Sequence, residues 1–232
     1  MKKIVTAFVG LLIVFVTPHS AKADESPTNA TPFQFGIWKN VQLVPENYDA
    51  WGLRLNFPYG NNANVRGVDL GLVNRAYTFK GIQVGALLNC TMDEMMGIQI
   101  GLLNRFRGKD TEITKGVQIG GVGNCGGENM AGIQIGGIIN FEESHMTGGQ
   151  IGGIVNFAKA VTGIQIGGAG NITRDDISGI QIGGICNVTT EMRGVQIALF
   201  NAAKKMTGIQ IGLVNIIKES SVESFPFFNA NF

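Results

Sequence analysis

Aliphatic and polar residues alternate in a short motif that recurs through most of the chain. Its clearest copy runs from Gly132 to Asn140 and reads Gly-Ile-Gln-Ile-Gly-Gly-Ile-Ile-Asn. Repetition at a short, slightly variable period is typical of an array in which each unit packs against its neighbours. The sequence therefore predicts one elongated body of stacked units. Successive copies start 14 to 19 residues apart, at Gly52, Gly67, Gly81, Gly97, Gly116, Gly132, Gly148, Gly163, Gly179, Gly194 and Gly208.

Each unit predicts a β-strand that ends at a corner. With the first glycine counted as position zero, aliphatic residues occupy positions one and three, and glutamine occupies position two in nine units. Alternation with a period of two places the aliphatic residues on one side of the strand and glutamine on the other. An asparagine at position seven or eight marks the corner, where stacked amides can hydrogen-bond from unit to unit. The longer form usually carries an extra residue beside a second glycine, which predicts a bulge.

Further apolar residues extend the pattern around each unit. Some follow the asparagine, as Phe141 and Phe157 do, whereas the connecting residues, such as Thr173 to Asp176, are polar. We expect the aliphatic residues to point inwards and the glutamines outwards. The pattern predicts an all-β chain, a parallel β-solenoid of about 11 short coils with N- and C-terminal caps, roughly 50 Å long at the strand spacing of about 4.8 Å. A third apolar row precedes each starting glycine by two residues: Val65, Phe79, Met95, Met130, Met146, Val161, Ile177, Met192 and Met206.

A transmembrane β-barrel is the alternative architecture. A strand of about 10 residues plus a short turn also gives a period near 15, with the aliphatic side facing lipid and glutamine facing the lumen. The terminal Phe232 is typical of such barrels. Two observations favour the solenoid. The two tryptophans and three tyrosines do not recur as interfacial girdles, and every unit repeats alone, whereas antiparallel barrel strands repeat in pairs.

The N-terminus has the pattern of a signal peptide. Lys2 and Lys3 precede an apolar run, and Ala21-Lys22-Ala23 is a small-x-small cleavage site. Removing residues 1–23 takes three of the 18 basic residues, which leaves 15 against 17 acidic ones and a net charge near −2. That balance argues against nucleic acid as a partner. We expect an exported protein of the periplasm, outer membrane or cell surface. The predicted segments are a signal peptide (1–23), a flexible leader (24–32), N-terminal cap strands (33–51), the solenoid array (52–215) and a C-terminal cap (216–232).

Candidate chemistry is weak. Gly123-Asn-Cys-Gly-Gly127 matches a nucleophile box of the form Gly-x-Cys-x-Gly, which needs a strand-turn-helix elbow, an acid and a histidine. Beyond the signal peptide the only histidine is His145, and Cys125 occupies the same repeat position as Phe141. A Gly-x-Gly-x-x-Gly match starting at Gly121 lacks the βαβ context of a dinucleotide site. We predict no enzymatic activity, no cofactor and no metal site.

The three cysteines are predicted to be free thiols. Cys90 and Cys125 lie two units apart, which in a stacked array is roughly 10 Å. A disulfide needs Cα atoms closer than about 7 Å. Cys186 then remains without a partner.

The glutamine row is the remaining candidate for function. An outward strip of glutamines flanked by glycines could bind a protein or glycan partner at the cell envelope, and membrane association is a further possibility. The simpler interpretation is a polar outer face stabilised by stacking of like amides. The candidate interaction face comprises Gln83, Gln99, Gln118, Gln134, Gln150, Gln165, Gln181, Gln196 and Gln210.

The chain from Phe33 to Phe232 resembles a family of exported bacterial surface-repeat proteins described from spirochaetes. The resemblance rests on Trp51-Gly-Leu-Arg-Leu-Asn56, on the unit from Gly208 to Asn215, and on the ending Pro226-Phe-Phe-Asn-Ala-Asn-Phe232. It implies a surface or envelope location and no established activity. The expected function is that of a non-enzymatic envelope protein with a structural or interaction role, with an outer-membrane pore as the alternative.

Overall fold

The computed structural model describes residues 29–38, 41–108 and 114–232. The predicted signal peptide (1–23) and the first part of the predicted leader (24–32) lie outside the described residues. The first strand already begins at Ala30, so the end of the segment expected to be a flexible leader is β-structure.

Thirteen strands and the turns between them make up the described residues. The repeats contain few irregular connections, and several strands continue through a corner from one coil into the next. The strands are β1 (Ala30–Trp38), β2 (Val41–Gln42), β3 (Asp49–Thr91), β4 (Met95–Phe106), β5 (Thr114–Gly126), β6 (Met130–Gly136), β7 (Ile139–Gly152), β8 (Val155–Gly167), β9 (Gly170–Thr173), β10 (Asp176–Gly183), β11 (Cys186–Ile197), β12 (Phe200–Ile217) and β13 (Ser224–Asn231).

The strands wind into a parallel β-solenoid of about 11 turns, which confirms the predicted fold. Equivalent residues of successive coils pair in register: Gln181 lies between Gln165 and Gln196. The alternative of a transmembrane β-barrel is wrong, because neighbouring coils pair parallel and barrel strands would pair antiparallel. The tandem repeat in the sequence is thus one coil of the solenoid.

Each coil has two β-sides. The first side runs from two residues before the starting glycine to position four, as β6 does, and the second side surrounds the asparagine, as at the start of β7. Where a coil with the short spacing to asparagine meets a coil with the long spacing, the pairing register shifts by one residue, between Gly85 and Leu88 for example. The predicted bulge is therefore present.

The apolar core is a narrow column inside the coils. It contains the apolar row two residues before the starting glycines, which is buried as predicted, and those residues two after an asparagine that are apolar. Phe79, Met95, Met130 and Met146 belong to the first row and have no exposed surface. The second row contributes Ala76, Phe106, Ala158, Ala203 and Ile217.

The glycine at position zero is required by backbone geometry. Gly132 has a φ of 151°, which side chains of L-residues rarely adopt, and a Cβ atom there would lie 1.8 Å from the carbonyl oxygen of Gly116. Starting glycines throughout the array share this conformation and this close approach. Their recurrence in the sequence therefore reflects the tight stacking of one coil on the next.

Antiparallel strands close both ends of the described array. β1 pairs parallel with the beginning of β3, and β2 folds back antiparallel on β1. At the other end β13 lies antiparallel to β12. β13 also carries Pro226, which is tolerated on an edge strand because it needs no ladder hydrogen bond on that side. A change of strand direction at each end interrupts the parallel pairing that would otherwise continue.

Candidate interaction surface

The nine glutamines of the predicted interaction face lie inside the solenoid. Each of the residues Gln83, Gln99, Gln118, Gln134, Gln150, Gln165, Gln181, Gln196 and Gln210 has an exposed fraction of 0%. The prediction of an outward glutamine strip is therefore wrong, because a side chain with no exposed surface cannot contact a partner. The physical reason is that the amides satisfy one another when they stack, which offsets the desolvation of their polar groups.

The glutamines form a ladder of side-chain hydrogen bonds. Each Nε2 donates to the Oε1 of the glutamine in the preceding coil, as Gln165 does to Gln150 and Gln181 does to Gln165, both at 2.8 Å. Residues on the second side add bonds across the interior. The Thr173 hydroxyl, for example, donates to Gln165 and accepts from Gln181. The donors of the whole ladder point towards the N-terminal end of the rod.

A buried ion pair terminates the glutamine ladder. Gln83 donates to Asp69 Oδ2 at 2.6 Å, and Arg54 binds the same carboxylate with Nε and Nη2 at 2.8 and 2.6 Å. Asn56 donates to the other oxygen, so the carboxylate accepts four hydrogen bonds. Both charged side chains are fully buried. The ladder therefore ends on an anion whose charge is balanced by the guanidinium of the adjacent coil.

The asparagines form a second ladder that runs in the opposite direction. Each Nδ2 donates to the Oδ1 of the asparagine in the following coil at 2.8 to 3.0 Å, as Asn140 does to Asn156. The same nitrogen also donates to a backbone carbonyl at position three of the next coil, such as that of Ile151. The predicted asparagine ladder is confirmed. Because the two ladders have opposite directions, their side-chain dipoles oppose each other along the rod.

The aliphatic residues at positions one and three point outwards. Ile133 and Ile135 flank the buried Gln134 and are 42% and 37% exposed. The residue two before the asparagine lies at the turn between the two sides and is also exposed, up to 53% at Ile185. The prediction that the aliphatic side faces inwards is therefore wrong. The residues that follow the asparagine, such as Phe141, point outwards too and are half-buried.

We define the apolar surface as five outward positions of each coil: one, three, and the positions two before, one before and one after the asparagine. In the seven coils from Gly116 to Gly208, every residue at these positions is aliphatic, phenylalanine, cysteine, alanine or glycine. Charged residues enter only in earlier coils, where Arg75 and Arg105 follow their asparagines. The apolar surface thus covers both β-sides and the turn between them.

The connecting segments between the second side of one coil and the first side of the next are polar, and we call them the charged edge. Exposed ion pairs on this edge join successive coils, including Lys80 with Glu94 at 3.0 Å and Lys204 with Glu219 at 3.2 Å. Exposed pairs of this kind contribute little to stability. In the seven coils from Gly116 to Gly208, these connecting segments and the residue directly before each starting glycine carry the exposed acidic and basic residues.

The cysteines and the histidine do not form a reactive group. Cys90, Cys125 and Cys186 are free thiols, as predicted. Cys125 lies on the second side, and burial raises the pKa of its thiol to about 12. Burial also raises the pKa of Cys90. His145 lies on the charged edge, where its Nε2 is 3.1 Å from the Thr162 hydroxyl. A thiol with a raised pKa is a poor nucleophile near neutral pH.

Glu142 is an unusual member of the interior. It is 1% exposed and occupies the position at which neighbouring coils place Gly126 and Ala158. Gln134 Nε2 donates to Glu142 Oε2 at 3.2 Å, and Glu142 Oε1 has no hydrogen-bond partner. Burial is the largest influence on the pKa of Glu142 and raises it well above its ordinary value of 4.5. The structure therefore favours a neutral carboxyl at this position.

Among the described residues, no group of three or more His, Cys, Asp or Glu side chains is arranged to bind a metal ion. The part of the chain that the structure describes also contains no helix that is long and apolar enough to cross a membrane.

Sequence reasoning missed the outward apolar surface. The spacing along the strand could have revealed it. The apolar residue two before the starting glycine and the glutamine at position two are four residues apart, so both must face the same side of the strand.

Comparison with protein families, with curated proteins and with solved structures gave no match to this chain.

Proposed function

We propose that this protein is a non-enzymatic repeat protein of the bacterial cell envelope, exported by its N-terminal signal sequence, in which a solenoid rod presents an interaction surface. The observation that carries this proposal is the apolar surface of the seven coils from Gly116 to Gly208. Its aliphatic side chains are exposed although glutamines and asparagines of the same strands are buried in the interior. Large exposed apolar patches mark contacts with proteins or membranes.

The envelope location is supported by the sequence. Residues 1–23 carry a basic start, an apolar run and a small-x-small cleavage site. The resemblance to exported surface-repeat proteins points the same way. A catalytic role has no comparable support, because the candidate nucleophile Cys125 has a raised pKa and His145 lies on a different face of the coil.

Fractionation of bacteria that express the full chain tests this proposal. We expect the protein in the envelope fraction, with an N-terminal peptide that begins at Asp24 in mass spectrometry. The double substitution Ala21→Asp with Ala23→Asp should block processing and retain the precursor, because the cleavage enzyme requires small residues at these positions. Lys22→Arg, between them, is the matched control and should be processed normally. Full-length protein in the cytosolic fraction would refute the proposal.

A further inference from the structure

We propose that the apolar surface binds a lipid bilayer, with the rod lying in the plane of the membrane interface and the charged edge facing water. This inference deepens the envelope function proposed above and rests on it. Lipid acyl chains are the partner that contacts the outward aliphatic rows.

The extent of the apolar surface indicates that it has a partner. At a rise of about 3.3 Å per residue the two β-sides together are roughly 30 Å wide, and the seven coils from Gly116 to Gly208 span about 34 Å at the strand spacing, which gives on the order of 1,000 Å². Free-standing monomers rarely expose more than about 600 Å² in one patch. A standard protein interface buries about 800 Å² on each partner. The apolar surface is therefore large enough for a stable contact, but a single flat partner would meet only one of its two β-sides.

The shape of the surface supports the same choice. The two β-sides meet at a turn whose residues project furthest, among them Ile154 and Ile185 with exposed fractions of 50% and 53%. This makes the apolar surface convex. A fluid acyl layer can follow a convex ridge on both sides, whereas one protein face can cover only one side of it.

The chemistry of the surface also fits lipid. Protein interfaces carry about one hydrogen bond for every 100–200 Å². The five outward positions of the coils from Gly116 to Gly208 provide no polar side chain for such bonds. Strand hydrogen bonds run along the rod from coil to coil, so the backbone on both β-sides is paired within the fold. Paired backbone groups are a requirement for contact with hydrocarbon.

The charged edge sets the expected orientation and lipid preference. Opposite charges pair between successive coils, as Lys205 does with Glu191 at 3.8 Å. The edge would remain in water when the opposite sides enter the interface, which is the distribution expected of an interfacial amphipathic element. Because its acidic and basic residues are interspersed, binding should not depend on anionic lipid. Neutral lipid should suffice.

Vesicle flotation tests the inference. The protein, in the form in which it accumulates after expression of the full chain, is mixed with phosphatidylcholine vesicles or with vesicles that also contain phosphatidylglycerol. We expect it to float with both, and binding at 0.1 M and 1 M salt should agree within about twofold, because apolar contacts are not screened. The exposed Trp38 and Trp51 provide a second readout through their fluorescence.

A matched pair of variants locates the binding surface. Ile154→Glu with Ile185→Glu places two charges on the projecting ridge and should reduce vesicle binding at least about tenfold, because ionised carboxylates resist entry into lipid. Thr147→Glu with Ser178→Glu adds the same charges to the same two coils beside the charged edge, and its binding should stay within about twofold. Circular dichroism and melting temperature establish that both variants fold. If the first does not, Ile154→Thr with Ile185→Thr keeps β-branched side chains and should still weaken binding.

Three results would overturn the inference: wild-type protein that stays unbound with both vesicle types, binding that needs anionic lipid and disappears in high salt, or a folded Ile154→Glu, Ile185→Glu variant that binds like wild type. If the protein that stays unbound is also a stable dimer, the first result would identify a second copy as the partner. The proposals of export and of lipid binding can be refuted independently of each other. Cytosolic protein that floats would refute the envelope function alone, and processed envelope protein that does not float would refute the lipid contact alone.

Discussion

The two sides of one strand in this solenoid reverse the usual distribution of polar and apolar residues. In β8, Gln165 is fully buried, whereas its neighbours Ile164 and Ile166 are exposed on the opposite side. Inside, the amide of Gln165 donates to the preceding coil and accepts from the following coil, because equivalent residues lie one strand spacing apart. Outside, Ile164 and Ile166 remain 45% and 38% exposed. A buried amide is therefore stable in this solenoid because each repeat supplies the hydrogen-bond partner of the next.

The largest expected effect comes from replacing one inner amide. Gln165→Leu leaves the Gln150 oxygen, a Gln181 proton and the Thr173 hydroxyl without their partner. At about 1–3 kcal/mol for each of these three groups, the free energy of unfolding should fall by about 3–9 kcal/mol. Ile166→Gln, one residue away on the outer side, should change it by less than about 1 kcal/mol. Urea unfolding followed by circular dichroism measures both, and greater damage from Ile166→Gln would reverse the assignment of sides.

The buried ion pair at the end of the ladder should be nearly as sensitive. Asp69→Asn keeps the shape of the side chain but leaves the Arg54 guanidinium buried without a counter-charge. The expected loss is about 3–5 kcal/mol. The double variant Arg54→Gln with Asp69→Gln extends the neutral amide column to these coils and should recover more than half of that loss. Urea unfolding of both variants decides this, and a double variant as unstable as Asp69→Asn would contradict the role assigned to the pair.

Two adjacent glycines separate backbone geometry from side-chain packing. Gly148 has a φ of 125°, and a Cβ atom there would lie 2.1 Å from the Gly132 carbonyl oxygen. Gly148→Ala should therefore cost at least about 2–3 kcal/mol. Gly149 occupies an outward position where other coils carry isoleucine or valine, and the nearest atom to its Cβ would be 3.9 Å away. Gly149→Ala should be neutral or stabilising by up to about 1 kcal/mol. Melting temperatures of the two variants test the contrast, and equal effects would rule it out.

The smallest effect concerns pH. Because the folded state raises the pKa of Glu142, the neutral carboxyl stabilises the fold fully below its ordinary pKa of 4.5, and this contribution is lost as pH rises towards the folded pKa. Glu142→Gln should remove that pH dependence and raise stability at pH 7 by about 1 kcal/mol or more, since no charge must then be buried. Glu143→Gln, the exposed neighbour, should change stability by less than about 0.5 kcal/mol. A wild-type stability that rises between pH 4.5 and 7 would oppose this account.

Much of the architecture could be predicted from the repeat. The spacing of the starting glycines indicated the stacking, the asparagine at position seven or eight indicated the corner, and both are present in the structure. In the unit that starts at Gly116, the position of the bulge followed from its second glycine, Gly121. These features could be predicted because each depends on local backbone geometry that the same residues meet in every coil.

The direction of the strand faces could not be obtained from alternation alone. A period of two shows which residues share a side of the strand, but it does not indicate which side is buried. Expecting polar residues outside then gave the wrong answer for Gln134 and its eight equivalents. The buried Met130, four residues before Gln134 and on the same side of the strand, held the missing information. Asp69 pointed the same way, since its partner Arg54 occupies the equivalent position of the preceding coil.

Hydrogen exchange of glutamine side-chain amides shows without any substitution whether the nine glutamines lie inside the solenoid. The chain contains 11 glutamines, and selective ¹⁵N labelling makes each side-chain NH₂ group visible by NMR. The account predicts that the nine glutamines of the ladder exchange with solvent far more slowly than a free glutamine side chain, because both amide protons lie inside the solenoid. Nine side chains that exchange as fast as in a short peptide would place the glutamines outside and contradict the account.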